Sequence, residues 1–320
     1  MKFKCSHDSC FSDTTCALGH TNRTDCEHRV GEANPSNDDQ PSTVAEAREL
    51  SSGIPWNGRV MGTSDLAILG GRGRPAVIGL VGPPGSGKTS LLAYLYMWLL
   101  EHGAVSGWSF GGSWTLGGWE SVVHYSRWTS EPPPSFPPHT TSTGRHPGIL
   151  HLALRNQSTG WLQDVLLTDA PGEWFSHWAR VPGSSASEGA RWVIENADAL
   201  LLLVDSGALA EGETLPTARR ATRDLMERVG AQSSCATAVV WTKDDVDVPE
   251  TAIAAIDTSS REFLSSAGTM RTTVKIHETI EACFVWAIDA ATSRSPLKVV
   301  AEPRLADDPF LALRRPNGWS

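Results

Sequence analysis

Short apolar runs rich in β-branched residues alternate along the chain with longer apolar or amphipathic stretches. The short runs predict buried strands at 75–81, 148–154, 161–168, 199–205, 236–242 and 282–288. The longer stretches predict helices at 89–102, 217–229 and 249–265. Strands that alternate with helices favour a three-layer α/β fold, in which helices cover both faces of a mostly parallel sheet.

The remaining segments set the expected domain organisation. Residues 1–30 are rich in Cys and His, and the mostly polar residues 31–69 are predicted to be a linker. The α/β domain is predicted at 70–295 and a tail at 296–320. Inside the domain, 131–148 contains six prolines, which predicts a long loop of the kind that is usually functional or disordered.

A glycine-rich turn joins the first predicted strand to an apolar helix. Its sequence, GPPGSGKT, fits the P-loop pattern G-x-x-x-x-G-K-[ST] at every fixed position. In such a loop the backbone N–H groups and the helix N-terminus attract phosphate, the lysine reaches the β- and γ-phosphates, and the hydroxyl binds Mg²⁺. We expect Lys88 to act in catalysis and Thr89 to bind Mg²⁺. The predicted nucleotide contacts are Gly82, Pro83, Pro84, Gly85, Ser86, Gly87, Lys88, Thr89 and Ser90.

A second motif, Asp169-Ala170-Pro171-Gly172, follows the strand predicted at 161–168 and fits D-x-x-G. A carboxylate at a strand end can hold Mg²⁺, and the glycine N–H can meet a γ-phosphate. Pro-Gly is also a common turn dipeptide, so the motif depends on the P-loop for its interpretation. We expect Asp169 to bind Mg²⁺ and Gly172 to contact the nucleotide.

A third motif, Thr242-Lys243-Asp244-Asp245, ends the strand predicted at 236–242 and fits the guanine pattern [NT]-K-x-D. The Asp245 carboxylate can accept hydrogen bonds from guanine N1–H and its 2-amino group. Adenine offers neither donor and would leave the carboxylate unpaired. The stem of Lys243 can lie over the base. A plain surface turn would also explain these residues, but their position after the run ALLLLVD favours Thr242, Lys243 and Asp245 as base contacts.

These three motifs, in this order, resemble the translation-factor-related (TRAFAC) class of GTPases. The run TDAPGEWF, the tryptophan-rich insert and the Cys/His-rich front resemble the bacterial double-GTPase families, which occur in the genomic neighbourhoods of conflict and signalling systems. The resemblance covers roughly residues 70–290. It implies GTP and GDP as ligands, Mg²⁺ as cofactor, a regulatory role, and a protein effector or GTPase-activating partner.

Candidates for the hydrolytic step lie beside these motifs. Glu173 stands where Ras-like GTPases have the glutamine that orients water; it either positions the attacking water or faces solvent or caps the following helix. A carboxylate repels the γ-phosphate, which predicts slow turnover unless a partner supplies positive charge. The switch threonine is expected among Thr140, Thr141 and Thr143, with Thr141 preferred. Arg145 beside them is either an arginine finger or a solvated loop residue.

Two further segments flank the motifs. Five of the thirteen tryptophans fall between Trp98 and Trp128, where they form either core or a lid or partner surface. The last guanine contact is expected in a loop after Ile288, near Ala287 and Ala290, where the sequence has no Ser-Ala-Lys triplet.

Four of the six cysteines lie in the first 26 residues, interleaved with histidines. Clustered thiols without a secretory signal favour metal ligands over disulfides, and zinc needs about four such ligands. The alternative is a tail with free thiols. The candidate ligands of a structural Zn²⁺ are Cys5, Cys10, Cys16 and Cys26.

Composition restricts the partners. The net charge of −9 argues against nonspecific nucleic-acid binding, which needs clustered Lys and Arg. No apolar run approaches the length of about 18 residues that a membrane helix needs. We therefore expect a cytoplasmic protein that binds neither nucleic acid nor membrane.

Three functions remain open at this point. The first is a regulatory GTPase, and the second is a P-loop ATPase or a small-molecule kinase. The third is a nucleotide-sensing scaffold that hydrolyses little. Nucleotide preference separates the first two, and tight GTP binding without turnover identifies the third.

Overall fold

The computed structural model describes residues 4–5, 29–30, 60–63, 65–66, 69, 73–127, 135–136 and 147–293. The chain divides into two compact units, residues 1–52 and 53–320. In the first unit, β1 (Lys4–Cys5) pairs antiparallel with β2 (Arg29–Val30). The side chains of all four candidate zinc cysteines lie outside the described residues, so the zinc site stays a prediction.

The second unit is built on one sheet of eight described strands in the order β10-β9-β8-β3-β7-β6-β5-β4. The strands are β3 (Ala76–Val81), β4 (Ala104–Val105), β5 (Trp108–Gly112), β6 (Gly148–Asn156), β7 (Leu162–Asp169), β8 (Ala199–Asp205), β9 (Ala236–Thr242) and β10 (Gly268–Arg271). The five strands from β10 to β7 are parallel. The pairs β7–β6, β6–β5 and β5–β4 are antiparallel. A tight turn after Asn156 joins β6 to β7 as a hairpin.

Helices cover both faces of this sheet. They are α1 (Lys88–His102), α2 (Leu116–Val123), α3 (Gly172–Arg180), α4 (Glu188–Asn196), α5 (Ser206–Ala210), α6 (Leu215–Gln232), α7 (Glu250–Phe263) and α8 (His277–Ser293). Alternate residues of β8 face opposite layers: Leu201 and Leu203 pack with α1, α2 and α8, whereas Leu200 and Leu202 pack with α3, α4, α6 and α7. Each fully buried leucine contributes about 2 kcal/mol. The predicted α/β fold with a mostly parallel sheet is confirmed for the described residues.

The sequence prediction did not include β4, β5, α2, α3, α4 or α5, and it differs from the structure in two further elements. The strand predicted at 282–288 is wrong, because these residues form the middle of α8. Buried positions in α8 recur at Ile280, Phe284, Ala287 and Ala291, a spacing of three or four that only the longer window 277–293 reveals. Edge strand β10 was not predicted, because its sequence GTMR is largely exposed and carries no apolar run.

The tryptophan-rich segment forms β5 and α2. Trp119 is fully buried and stacks on Tyr96 of α1, and Trp108 is also buried. The core interpretation therefore holds for these two residues. Trp128 lies outside the described residues.

Part of the segment predicted as a linker packs into the second unit. Met61 exchanges backbone hydrogen bonds of 2.9 and 3.0 Å with Ile149 of β6, and both Met61 and Leu69 are buried. They pack with Val77 and Leu166 in a small cluster. Residues on the amino-terminal side of β3 thus belong to the packed domain.

A buried polar network fixes the antiparallel part of the sheet. His151 of β6 accepts a hydrogen bond from the Trp114 N–H at Nδ1 (3.0 Å), and its Nε2 lies 2.9 Å from Asp164 Oδ1. Its carbonyl accepts from the Trp119 indole at 2.9 Å. Because Nδ1 acts as an acceptor, the imidazole is the neutral tautomer that donates from Nε2. The network ties the segment before α2 to β6 and β7.

Replacing His151 by leucine keeps most of the volume but removes an acceptor from the Trp114 N–H and a partner from the Asp164 carboxylate. We expect the free energy of unfolding to fall by about 2–3 kcal/mol. The matched control is His124→Leu at an exposed position, with an expected change below about 0.5 kcal/mol. Urea unfolding measures both variants, and similar small losses would contradict a structural role for the network.

Candidate nucleotide-binding site

The P-loop follows β3 and leads directly into α1. Gly85 and Gly87 have φ values of 76° and 86°, a left-handed conformation that side chains other than glycine rarely adopt. At Gly82 a Cβ atom would lie 2.5 Å from Ser86 Oγ, so this position also requires glycine. The loop thereby curls with its N–H groups available to an anion at the N-terminus of α1.

Lys88, the first residue of α1, is buried beneath this loop. Its Nζ donates hydrogen bonds of 3.0 Å to the carbonyls of Gly82 and Pro83. Burial lowers the pKa of Lys88 to about 8, although the nearby carboxylates of Asp169 and Glu173 favour its charged form. The ammonium form of Lys88 is therefore poorly solvated, and the negative charge of a bound phosphate would stabilise it.

The predicted Mg²⁺ ligands lie together beside the P-loop. Asp169 ends β7, which pairs with β3, and Thr89 Oγ1 lies 3.1 Å from Asp169 Oδ1. A hydroxyl and a carboxylate at this position fit a hard cation that takes its other ligands from phosphate and water. Among the residues that the structure describes, no group of three or more His, Cys, Asp and Glu side chains is arranged to hold a metal. The geometry fits a Mg²⁺ ion that shares its coordination with a nucleotide.

Gly172 begins α3 in close contact with the P-loop. A Cβ atom at this position would lie 2.3 Å from the Pro84 nitrogen, so a side chain larger than glycine's cannot be accommodated without moving the backbone. Glu173 follows in the first turn of α3, with an exposed side chain that lines the cavity. Pro171, which precedes the helix, has no N–H that Glu173 could cap. The first turn of α3 therefore lies against the P-loop and lines the same cavity.

The segment Thr242 to Asp245, called the base-side motif below, begins at the end of β9 and is hydrogen-bonded to the P-loop. The Thr242 hydroxyl lies 3.0 Å from the Ser86 carbonyl and 3.1 Å from the Val204 carbonyl. Lys243 has φ 55°, and it is the one non-glycine residue with a left-handed backbone in the described part of the chain. Together these contacts fix the base-side motif relative to the phosphate-binding loop.

Asp245 is held by a loop that the sequence prediction missed. Thr273 donates a hydrogen bond of 2.7 Å to Asp245 Oδ1, and Lys275 Nζ lies 2.8 Å from Oδ2. The hydrogen bonds from Lys275 and then Thr273 lower the pKa of Asp245 to about 2, so the group is an acceptor at neutral pH. Loop 272–276 follows β10, the edge strand that the apolar pattern did not reveal.

The loop in which the last guanine contact was expected proves to be helix, because Ala287 and Ala290 lie within α8 and Ala287 is fully buried in the core. The loop that contacts Asp245 is 272–276, and its sequence signal was the short run Thr273-Val274-Lys275, with a hydroxyl and a lysine two residues apart. It became recognisable only once β10 placed this run next to Asp245.

The phosphate and base sides open into one cavity of about 600 Å³, a size typical of ligand pockets. Its walls include the P-loop, Glu173, Asp245, Lys275 and the exposed side chain of Phe136. The candidates Thr140, Thr141, Thr143 and Arg145 lie outside the described residues.

Comparison with known proteins identifies the family to which this geometry belongs. The family model of Double-GTPase 2 matches residues 76–281, from β3 into α8. The chain belongs to the Double-GTPase 2 family. The predicted resemblance to the double-GTPase families is confirmed. No curated protein matches the chain.

Solved structures with a similar arrangement are distant. The elongation factor SelB of Methanococcus maripaludis, in complex with the GTP analogue GppNHp, is 13% identical with a TM-score of 0.35, over 68% of this chain and 34% of that one. A bacterial selenocysteine-specific elongation factor is 14% identical with a TM-score of 0.37, over 69% and 29%. A putative nucleolar GTP-binding protein 1 of Plasmodium falciparum is 9% identical with a TM-score of 0.42, over 69% and 88%. The chain thus spans about a third of the length of the two elongation factors.

The described helices contain none that is both long enough and apolar enough to cross a membrane.

The lowered pKa of Lys88 predicts proton uptake on nucleotide binding. At about pH 8.5 the ligand-free lysine is mostly neutral, and bound phosphates favour its charged form. Binding of GDP should therefore be accompanied by the uptake of most of one proton by Lys88. At about pH 7 the lysine is already charged, and little uptake is expected. Affinity should accordingly fall as the pH rises through 8. Calorimetry in buffers of different ionisation enthalpy measures the uptake.

The control for this prediction is Lys88→Met at the same two pH values, where any remaining uptake comes from the guanine base. Equal uptake by the variant and the unmodified protein at pH 8.5 would rule out Lys88 as the titrating group.

Proposed function

We propose that this protein binds GTP with Mg²⁺ and hydrolyses it to GDP as a regulatory switch. The observation that carries the proposal is the position of Asp245, an ionised carboxylate 2.7 Å from the Thr273 hydroxyl, in the wall of the cavity that also contains the P-loop. A carboxylate there complements the N1–H and 2-amino donors of guanine. An ATPase or kinase acting on adenine nucleotides would gain nothing from it.

At the phosphate end of the cavity, each residue of the motifs can take a role in hydrolysis, which supports the proposal. Lys88 would exchange its two carbonyl contacts for β- and γ-phosphate oxygens, and the N–H of Gly172 would meet the γ-phosphate. Thr89 and Asp169 would hold Mg²⁺, which neutralises charge on the phosphates when bound. Glu173 would accept a hydrogen bond from the attacking water.

The charge balance suggests why a partner would be needed. Around the γ-phosphate the described residues offer one buried cation, Lys88, beside the carboxylates of Asp169 and Glu173. Developing negative charge in the transition state is stabilised by cations, and an arginine supplied by another protein can raise the rate by about 10³-fold or more. We therefore propose slow intrinsic turnover and a protein partner that acts as activator or effector. A cytoplasmic location and a role in a conflict or signalling system belong to the same proposal and rest on the sequence resemblance.

A nucleotide-sensing scaffold is the second candidate. The exposed Glu173 favours it, because a carboxylate beside the γ-phosphate repels the charge that hydrolysis must stabilise. Under this alternative GTP binds tightly and is released uncleaved.

Asp245→Asn tests the guanine assignment. An amide in place of the carboxylate cannot accept both guanine donors, but it can donate to the 2-carbonyl of xanthine. We expect GTP affinity to fall about a hundredfold and XTP to become the preferred ligand. Competition against a fluorescent nucleotide measures both values.

The neighbouring Asp244→Asn is the matched control, because the side chain of Asp244 pairs with Arg271 of β10 at 2.7 Å, whereas that of Asp245 contacts Thr273 and Lys275. It should leave the preference for GTP in place. If Asp245→Asn and Asp244→Asn behave alike, the guanine assignment is wrong.

Glu173→Ala tests whether this side chain positions water. Single-turnover hydrolysis of GTP should slow about tenfold, because a general base or water-orienting group contributes at least that much. Glu250→Ala is the control, since Glu250 is likewise exposed in the first turn of a helix but lies on α7. Unchanged hydrolysis by Glu173→Ala would remove the role. GTP binding without turnover in the unmodified protein would favour the scaffold.

A further inference from the structure

The last residue of β8 is a buried carboxylate that no motif of the sequence includes. The side chain of Asp205 is 8% exposed, and it lies at the edge of the sheet where β3, β7 and β9 also end. Its Oδ1 accepts a hydrogen bond from the Ala208 N–H at 3.2 Å, which caps α5. The cap accounts for one of the carboxylate's contacts.

The other contacts of Asp205 go to the base-side lysine. Lys243 Nζ lies 2.8 Å from Oδ1 and 2.9 Å from Oδ2, a bidentate ion pair between β8 and the end of β9. The stem of a lysine can cover apolar surface while its amine makes a polar contact elsewhere.

The ion pair is packed tightly against backbone. A Cβ atom on Gly207 would lie 3.2 Å from Asp205 Oδ1 and 3.2 Å from Lys243 Cδ. On the other side, a Cβ atom on Gly85 of the P-loop would lie 3.7 Å from Asp205 Oδ2. Glycines on both sides thus allow the pair to lie between α5 and the P-loop. These contacts restrict the Asp205 end of the pair, while 43% of the Lys243 side chain is exposed.

We propose that Asp205 is the positioning residue for Lys243 and thereby sets the affinity of the base side for its nucleotide. By holding the amine, Asp205 fixes the stem of Lys243 in the extended form that lies over the purine. A stem that is already ordered loses less entropy when the base binds. This inference rests on the proposed nucleotide function, and it adds Asp205 to the residues that control binding.

A second route from Asp205 to the nucleotide runs through Lys88, and experiment can distinguish it from the route through Lys243. The Asp205 charge also acts on Lys88, although less than Asp169 and Glu173 do. If Asp205 worked through Lys88, its loss would affect phosphate groups, with or without a base attached. If it works through Lys243, only ligands that carry a base are affected.

A double-mutant cycle for GDP binding tests the proposal. The variants are Asp205→Asn, Lys243→Met, which keeps a stem of similar length without charge, and the two combined. We expect Asp205→Asn alone to weaken GDP about tenfold, mostly by faster dissociation, and to change affinity less than about twofold when Lys243→Met is already present. Affinity for Mg²⁺-pyrophosphate, which has no base, should change less than about twofold with Asp205→Asn.

The control is Asp198→Asn. Asp198 immediately precedes the same strand, is equally buried, and pairs with Arg74 at 2.5 Å. Asp198→Asn therefore also removes the ion pair of a buried aspartate beside β8, but at the edge of the sheet opposite the cavity. GDP affinity should not change in this variant. If Asp205→Asn does not fold, Asp205→Glu replaces it in the same cycle, since the longer side chain displaces the lysine amine while keeping the charge.

Three outcomes would overturn the proposal. One is an equal loss in both backgrounds, the second is a parallel loss of pyrophosphate affinity, and the third is no loss at all. Should the protein prefer adenine nucleotides, the guanine assignment fails, and the same cycle run with ADP still tests Asp205. If the protein selects guanine but the cycle shows no coupling between Asp205 and Lys243, this inference is rejected and the proposed function stands.

Discussion

The candidate site depends on one geometric constraint, the shared edge at which four neighbouring parallel strands end. Strands β7, β3, β8 and β9 lie side by side, so the residues that follow or end them meet within one cavity. Ligands of open α/β sheets bind at such carboxyl edges. The buried register of these strands, with Leu200 to Leu203 facing both helical layers, is what holds the edge in place.

Electrostatics at this edge follow from the same arrangement. Carboxylates and ammonium groups pair with one another: Lys243 with Asp205, and Lys275 with Asp245. Lys88 is the exception, because it is buried among carbonyl oxygens and its pKa is lowered to about 8. Nucleotide phosphates would supply the charge that this lysine lacks. The cavity thus has a buried lysine at one end and an ionised carboxylate at the other.

The local motifs of the candidate site could be recognised in the sequence. The P-loop, Asp169 with Gly172, and Thr242 with Asp245 each lie within a few residues of one another, so a short pattern contains their chemistry. Thr273, Lys275 and Asp205 were missed, since each gains its role from a partner at least 28 residues away. No local pattern records such a contact.

The errors in the fold have a similar origin. Helix α8 was predicted as a strand, because its seven-residue apolar run satisfies both interpretations until the wider periodicity is counted. The exposed strand β10 has no apolar signal, although pairing of Met270 with Val240 along β9 fixes it in the sheet. Its loss from the prediction also hid the loop that contacts Asp245. An error in one edge strand thus became an error in the site.

The most direct test of the account is the nucleotide selectivity of the unmodified protein. Labelled GDP bound in the presence of Mg²⁺ is displaced by unlabelled GDP, ADP and XDP in equilibrium competition. The account predicts that GDP competes at least about a hundredfold better than ADP or XDP, because guanine alone among these bases offers Asp245 both an N1–H and a 2-amino donor. Equal competition by ADP would contradict it, since Thr242 to Asp245 would then be a structural turn beside a P-loop of another specificity.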